Sequence, residues 1–384
     1  AAKTVMSGPA SGVIAAVYTG RLANRPNLIT YDMGGTSTDV ALIRNYQPSV
    51  SNEIEIEYAM PIHVPMVDVR TIGAGGGSIA KVNEAGLLEV GPQSAGADPG
   101  PICYGRGGLL PTISDANMLL GRLDVGKLKS VSDAVNIGKV RRIFQEKLGD
   151  PLGVDAETAA AAVLRMATTR MAGATRMVSI SLGVDPRDFT LFAFGGAGPL
   201  HASALAQELG VPDVLVPARP GITNALGCVV ADLRHDFVRT VNMPLDAIEG
   251  NTLSEILAGQ AAEGKALIRQ ERLHIEAIEI QHFLDMQFMG QTHLLQVPLS
   301  SAHMQRDEIR AAFEDVYSNR FRIRLSQISA QIVNVSTIVI GRRPEIDLSG
   351  LIDKTKPVTS LRGARTGSRP VFFEIEGAGS KWLE

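Results

Sequence analysis

Two short β-type runs, Leu28 to Met33 and Val40 to Ile43, flank a Gly/Thr/Ser turn, and that arrangement predicts a hairpin with a polar tip. Before it, Ser7-Gly8-Pro9 precedes the small apolar run Ala10 to Val17, where serine and proline mark a helix start. Val67 to Ile72 reads as a further strand, ending in Gly73-Ala74-Gly75-Gly76-Gly77-Ser78. Residues 91–111 are dense in Gly and Pro and read as loop. Apolar and small residues at helical spacing (Ala159, Val163, Met166, Met171, Ala174) predict a helix over Ala156 to Met177 with Asp155 as its N-cap. The apolar run Phe189 to Phe194, the turn Gly195-Gly196-Ala197-Gly198-Pro199, a helix over Leu200 to Leu209 capped by Gly210, and the strand Val214 to Val216 make one βαβ unit.

After Asp232-Leu233-Arg234-His235 the texture changes to a charged amphipathic helix over Leu253 to Arg272 and alternating strands near Gln281 to Val297 and Gln331 to Gly341. The division expected is an α/β domain over 1–238 and a smaller α+β domain over 239–384. An apolar fraction of 45% and a net charge of −3 without sustained charge runs fit a globular protein, and leave neither nucleic acid nor an anionic membrane as an expected partner. No apolar stretch reaches about 18 residues, so no membrane span is expected. Cys103 and Cys228 are the only cysteines, which fits a reducing cytoplasm. The chain opens without methionine, and a fragment is expected.

Asp32-Met33-Gly34-Gly35-Thr36-Ser37-Thr38-Asp39 sets a carboxylate at a strand end, two glycines, three hydroxyls and a second carboxylate. Phosphate chemistry uses those types: glycines let backbone N–H groups approach phosphate oxygens, hydroxyls add neutral donors, and a carboxylate holds Mg²⁺ or its waters. An ordinary hairpin turn is the alternative. Gly195, Gly196, Ala197 and Gly198 join a strand to a helix N-terminus, a place that suits a nucleotide or simply tight packing. Gly73 to Ser78, with Asp68, is either a loop that closes on a ligand or a hinge. Cys103 is either a nucleophile or a packed small side chain. His201 is an acid/base or metal ligand, or a local hydrogen-bonding group, and His235 with Asp236 reads as a solvated pair.

Five stretches, 32–40, 72–80, 91–101, 112–117 and 194–202, resemble the hydantoinase A/5-oxoprolinase family in order and wording, and a weaker likeness continues at Asp285 to Gln291. The resemblance implies a ribonuclease-H-like nucleotide-binding core of the actin, Hsp70 and sugar kinase type, incomplete at its N-terminus. In it Asp32 to Asp39 is the second phosphate loop and Gly195 to Pro199 lies beside the adenosine. ATP and Mg²⁺ are the implied cofactors, with Asp32 and Asp39 as metal ligands and catalytic groups, and His201 or Asp115 serving the carbonyl side. The implied reaction is ATP-driven opening of a cyclic amide, a 5-oxoproline or a hydantoin, through carbonyl phosphorylation. Two alternatives stay open: the ATPase subunit of a ketone carboxylase, and a nucleotide-binding module acting through a partner. A hydantoinase B-type subunit or domain and an oligomeric assembly are the implied partners.

Overall fold

The computed structural model describes residues 7–51, 54–55, 61–62, 66–124, 126, 136–248, 251–325, 327–344, 346, 360, 365, 367–375 and 379–383. The chain divides into two units, Ala1–Val230 with Ser349–Glu384, and Ala231–Leu348.

In the first unit, helix α1 (Ser7–Leu22) leads into β1 (Leu28–Met33) and β2 (Thr38–Arg44). β1 and β2 form the expected hairpin, antiparallel from Leu28↔Ile43 to Met33↔Thr38. β2 pairs on its other side with β3 (Val69–Ile72). The other edge of β1 pairs in parallel with β4 (Thr190–Phe194), which pairs in parallel with β5 (Asp213–Leu215). An antiparallel meander continued by parallel strands is the mixed sheet expected of a ribonuclease-H-like α/β unit. Between β3 and β4 lie helix α2 (Ile113–Leu119) and the long α3 (Ala156–Ser181). After β4 come α4 (Gly198–Leu209) and α5 (Thr223–Val230).

β1 is buried along both faces except at Asp32, which is why it reads as a near-continuous apolar run. The strand alternation sorts its side chains between two cores. Ile29, Tyr31 and Met33 join Val40 and Leu42 in one core with the apolar residues Ala159, Val163, Ala167 and Met171 of α3. Leu28 joins Ala41, Ile43, Phe192 and Phe194 against Val13 and Ala16 of α1. Phe192 and Phe194 pack with ring centroids 5.4 Å apart, and burying such a side chain contributes about 1.5–3 kcal/mol. Asp32 and Asp39 therefore belong to the α1 face, at the end of the sheet where β1 and β4 both finish.

The second unit is an antiparallel sheet in the order β6 (Leu233–Pro244), β9 (Ala330–Arg342), β7 (Ala277–Phe288), β8 (Leu295–Leu299). It carries helices α6 (Thr252–Gln270) and α7 (Arg306–Phe321) over a core that includes Leu284, Met286, Phe288, Phe313 and Tyr317. α6 comes so close to the sheet that a Cβ on Gly264 would lie 2.4 Å from Val339 Cγ2.

This division differs from 1–238 and 239–384 in two respects. Residue 238 falls inside β6, whose pairing with β9 starts at Leu233↔Gly341. The strand Val371–Ile375 belongs with the first unit: Phe372 N–H donates to Leu120 O at 3.0 Å, and the Phe372 ring joins the first core. One apolar anchor far along the chain carries no local signal of where it docks. The helices α2, α7 and Ile137–Phe144 were not foreseen either. His235 and Asp236 are not a pair. As neighbours on a strand they point to opposite faces, and Asp236 pairs instead with Arg234 at 2.7 Å. Among the described residues no helix is long and apolar enough to cross a membrane.

Candidate functional site

The β1–β2 register places Asp32 directly opposite Asp39, and the β2–β3 register places Thr71 opposite Asp39. Cross-strand neighbours share a face, so Asp32, Asp39 and Thr71 form one polar row. The Thr71 hydroxyl donates to Asp39 Oδ1 at 2.6 Å. Asp32 Oδ2 accepts from Asn224 Nδ2 of α5 at 2.9 Å. Among the described residues, no Lys, Arg or His forms an ion pair with either carboxylate. Burial pushes both carboxyls above their ordinary range. The Asn224 hydrogen bond opposes that for Asp32 while Asp39 reinforces it, and the Thr71 hydrogen bond opposes it for Asp39. Two neighbouring acids held by neutral donors keep an uncompensated charge, which an added cation would neutralise.

The turn between the two strands is built by backbone contacts. Gly34 N–H donates to Ser37 O at 3.0 Å, closing the tip. The carbonyls of Gly34 and Gly35 accept from Gly76 N–H at 3.0 Å and Gly77 N–H at 2.6 Å. A Cβ on Gly75 would lie 2.5 Å from Thr36 C and 2.7 Å from Ser37 N. In the structure the loop Gly73 to Ser78 is a wall against which the turn is pressed. Its own shape is fixed by Gly75 N–H donating to Ser78 Oγ at 2.9 Å, and by Ser114 N–H donating to Gly76 O at 2.7 Å. With the carbonyls turned to that wall, Gly35 and Thr36 are exposed, and a Cβ on Gly35 would meet nothing within 4 Å. Thr38 departs from its expected role: its buried hydroxyl donates to Ala74 O at 2.5 Å and anchors the wall.

The second glycine turn meets the first at the end of β1. Ala197 N–H donates to Met33 O at 2.9 Å, and Gly195 N–H donates to Pro220 O at 3.0 Å. Gly195 has φ +84°, and a Cβ there would lie 2.3 Å from Asp32 Oδ1. Only glycine fits a left-handed backbone pressed on a carboxylate. Gly198 is buried against Tyr31 O, whereas Gly196 is exposed with nothing within 4 Å of its Cβ position. The two turns leave Gly35, Thr36 and Gly196 open beside the two carboxylates, outside the carboxyl ends of parallel strands where α/β sheets bind ligands.

The other expected site residues sit elsewhere. Asp115 is fully buried and accepts from Cys103 N–H at 2.7 Å, Ile102 N–H at 3.2 Å, Thr112 N–H at 3.0 Å and the Thr112 hydroxyl at 2.7 Å. It is half of the capping box of α2 and the clamp on the turn Ile102–Tyr104, a structural carboxylate. Cys103 is fully buried, and burial with Asp115 beside it pushes its thiol up, away from nucleophilic chemistry. His201 is buried on α4 with Nε2 3.2 Å from Asn117 Nδ2 of α2. Burial, with Arg122 nearby, lowers it to about 4, so it is neutral at pH 7.

Asn224 and Thr71 are the site residues that sequence reasoning missed. Thr71 was legible in principle as the residue that alternation puts on the face of Asp39. Asn224 was not, because a helix from a distant segment brings it.

Residues 1–237 match the family model Hydantoinase/oxoprolinase. The chain belongs to the hydantoinase/oxoprolinase family. It is 34% identical to the caprolactamase subunit alpha of Pseudomonas jessenii over 98% of this chain and 54% of that protein. It is 35% identical to 5-oxoprolinase 1 of Arabidopsis thaliana over 76% of this chain and 23% of that one, and 31% identical to the acetophenone carboxylase gamma subunit of Aromatoleum aromaticum over 84% and 45%. The crystal structure of the Pseudomonas jessenii ATP-dependent caprolactamase superposes with a TM-score of 0.76 at 35% identity, covering 88% of this chain and 50% of that one. The chain spans about half the length of that caprolactamase, and less of the oxoprolinase.

Proposed function

We propose that this chain carries a Mg²⁺-nucleotide site of an ATP-dependent enzyme that opens a cyclic amide. The observation that carries the reading is the Asp32–Asp39 pair at the hairpin tip, held by neutral donors and flanked by two glycine turns. Among the described residues no cluster of three His, Cys, Asp or Glu side chains makes a complete protein cage for a metal. One or two carboxylates supplemented by substrate phosphates and water is the ordinary way of holding Mg²⁺, so the residues present fit that ion. Asp32 and Asp39 would hold it, and bound there it would supply charge neutralisation for phosphoryl transfer. The exposed Gly35 and Thr36 would donate N–H groups and the Thr36 hydroxyl to phosphate oxygens, and Gly195 to Gly198 would lie beside the nucleoside.

An amide carbonyl is a poor electrophile; phosphorylating its oxygen, with ADP released, would make the carbon electrophilic enough for water to add. The C–N bond would then break as the ring nitrogen takes a proton, and a second water would cleave the resulting acyl phosphate to carboxylate and phosphate. Relatives named caprolactamase and 5-oxoprolinase support the amide class. Relatives named acetone and acetophenone carboxylase subunits support a second reading, in which a ketone is activated for carboxylation. The names that include a subunit also support a partner chain for the complete enzyme. His201 and Asp115 carry no role on the carbonyl side in this proposal.

The test is ATP hydrolysis by the full-length protein with Mg²⁺, alone and with 5-oxoproline, caprolactam, hydantoins, or ketones plus bicarbonate, beside an Asp32→Ala variant. Stimulation by a lactam or hydantoin that disappears in the variant supports the amide reading. Stimulation only by a ketone with bicarbonate replaces it with the carboxylase reading. Stimulation that survives in Asp32→Ala removes Asp32 from the site.

A further inference from the structure

The Asp32 carboxylate projects from a strand end, yet both of its oxygens are confined. Oδ1 faces Gly195, where a Cβ would come within 2.3 Å. Oδ2 receives Asn224 Nδ2 at 2.9 Å. Asn224 is itself confined by a helix crossing. α1 and α5 approach so closely that a Cβ on Gly227 would lie 1.7 Å from Ser11 O, and a Cβ on Gly12 would lie 2.3 Å from Asn224 Oδ1. That Oδ1 is buried without a hydrogen-bond partner. A buried amide oxygen left unpaired costs about 1–3 kcal/mol, so packing alone favours an apolar side chain of the same shape at 224. The start of α5 is fixed as well, since the buried Thr223 hydroxyl donates to Pro220 O at 3.1 Å and Gly195 N–H donates to the same carbonyl at 3.0 Å. One short segment, 219–224, thereby ties the second glycine turn to the carboxylate.

We infer that Asn224 is a positioning residue: pressed between Gly12 and Asp32, its amide fixes the direction in which the Asp32 carboxylate presents its oxygens to a divalent cation. This rests on the Mg²⁺-nucleotide reading of the site for its consequence, though not for the orientation itself. The donor is neutral, so it orients Asp32 without cancelling the charge that the cation needs. Groups that orient a ligating carboxylate in this way typically change metal affinity 10- to 100-fold when removed. Among the described residues no other side chain donates to Asp32.

Two variants test it in the full-length protein. Asn224→Leu keeps the branched shape and removes the donor; Asn224→Ser is too short to reach and introduces no clash. In both, a crystal structure should show the Asp32 carboxylate turned from its place against Gly195. The Mg²⁺ concentration for half-saturation of ATP binding should rise about tenfold, while ATP binding in EDTA stays as in the wild type. A merely structural role would lower the melting temperature and move both affinities together. The inference is overturned if Asp32 keeps its position in Asn224→Ser, or if the Mg²⁺ half-saturation is unchanged in a protein that binds Mg²⁺-ATP. A wild-type protein that binds no nucleotide would defeat the proposed function instead, and the position of Asp32 in the variant structure would then decide the role of Asn224.

Discussion

Adding one methyl group at Gly75 separates the support of the phosphate turn from its chemistry. The new Cβ would sit 2.5 Å from Thr36 C and 2.7 Å from both Thr36 N and Ser37 N, all of them backbone atoms. Ordinary carbon contacts are about 3.5–4.0 Å, so the turn and its wall must separate by about 1 Å. Flexible side chains that could yield are absent from those nearest contacts. Overpacking of this kind costs about 1–3 kcal/mol, which in a unit of this size lowers Tm by about 3–10 °C. The effect on turnover is larger, because misplacing reacting groups by about 1 Å costs on the order of 100-fold in rate. Gly173→Ala is the matched control: Gly173 lies inside α3 with nothing within 4 Å of its Cβ position, and alanine there should stabilise by about 0.5–1 kcal/mol. The assay is a thermal melt and Mg²⁺-dependent ATP turnover on the same preparations. A Gly75→Ala protein with wild-type Tm and wild-type turnover would refute the wall.

The buried carboxylate Asp115 should behave as a folding residue. Asp115→Ala leaves the N–H groups of Cys103, Ile102 and Thr112 without an acceptor and should cost at least about 3 kcal/mol, read by denaturant unfolding. His201 should make stability depend on acid. Its folded value of about 4 lies below the ordinary 6.5, so the unfolded chain binds the extra proton between those values, and stability is lost as pH falls from about 6.5 to about 4. The full difference is about 3 kcal/mol. Subtracting the pH profile of His201→Gln should remove that slope, and an unchanged slope would show that other groups produce it. Gly227→Ala, with its Cβ 1.7 Å from Ser11 O, should force α1 and α5 apart at a cost of about 3 kcal/mol, read as a lowered Tm in a thermal melt of the protein.

How much of this was legible in the sequence depends on the distance over which each feature is encoded. The β1–β2 hairpin, α1 and the βαβ unit through β4 and α4 were readable because their signals lie within each segment. The glycine turns were readable as candidate phosphate loops, since Gly-Gly with flanking carboxylates is a local pattern. What Gly73 to Ser78 does was not: a glycine needed for close backbone approach looks the same as one needed for motion. Thr38 and Asp115 look like chemistry in the sequence and are structure in the fold, because a buried hydroxyl or carboxylate is defined by partners such as Ala74 O and Cys103 N–H that no spacing rule supplies. Asn224 and Phe372 reach their places through tertiary contacts with α1, β1 and Leu120. The family likeness rested on five local motifs, and local motifs are what a single sequence preserves best.

The most direct test of the central claim is a calorimetric titration of the full-length protein with ATP, with Mg²⁺ and with EDTA, comparing wild type with Asp32→Asn. The account predicts tight binding with Mg²⁺ in the wild type. It predicts a large loss in the variant, confined to the Mg²⁺-dependent part. Equal Mg²⁺-dependent affinity in the two proteins would contradict it.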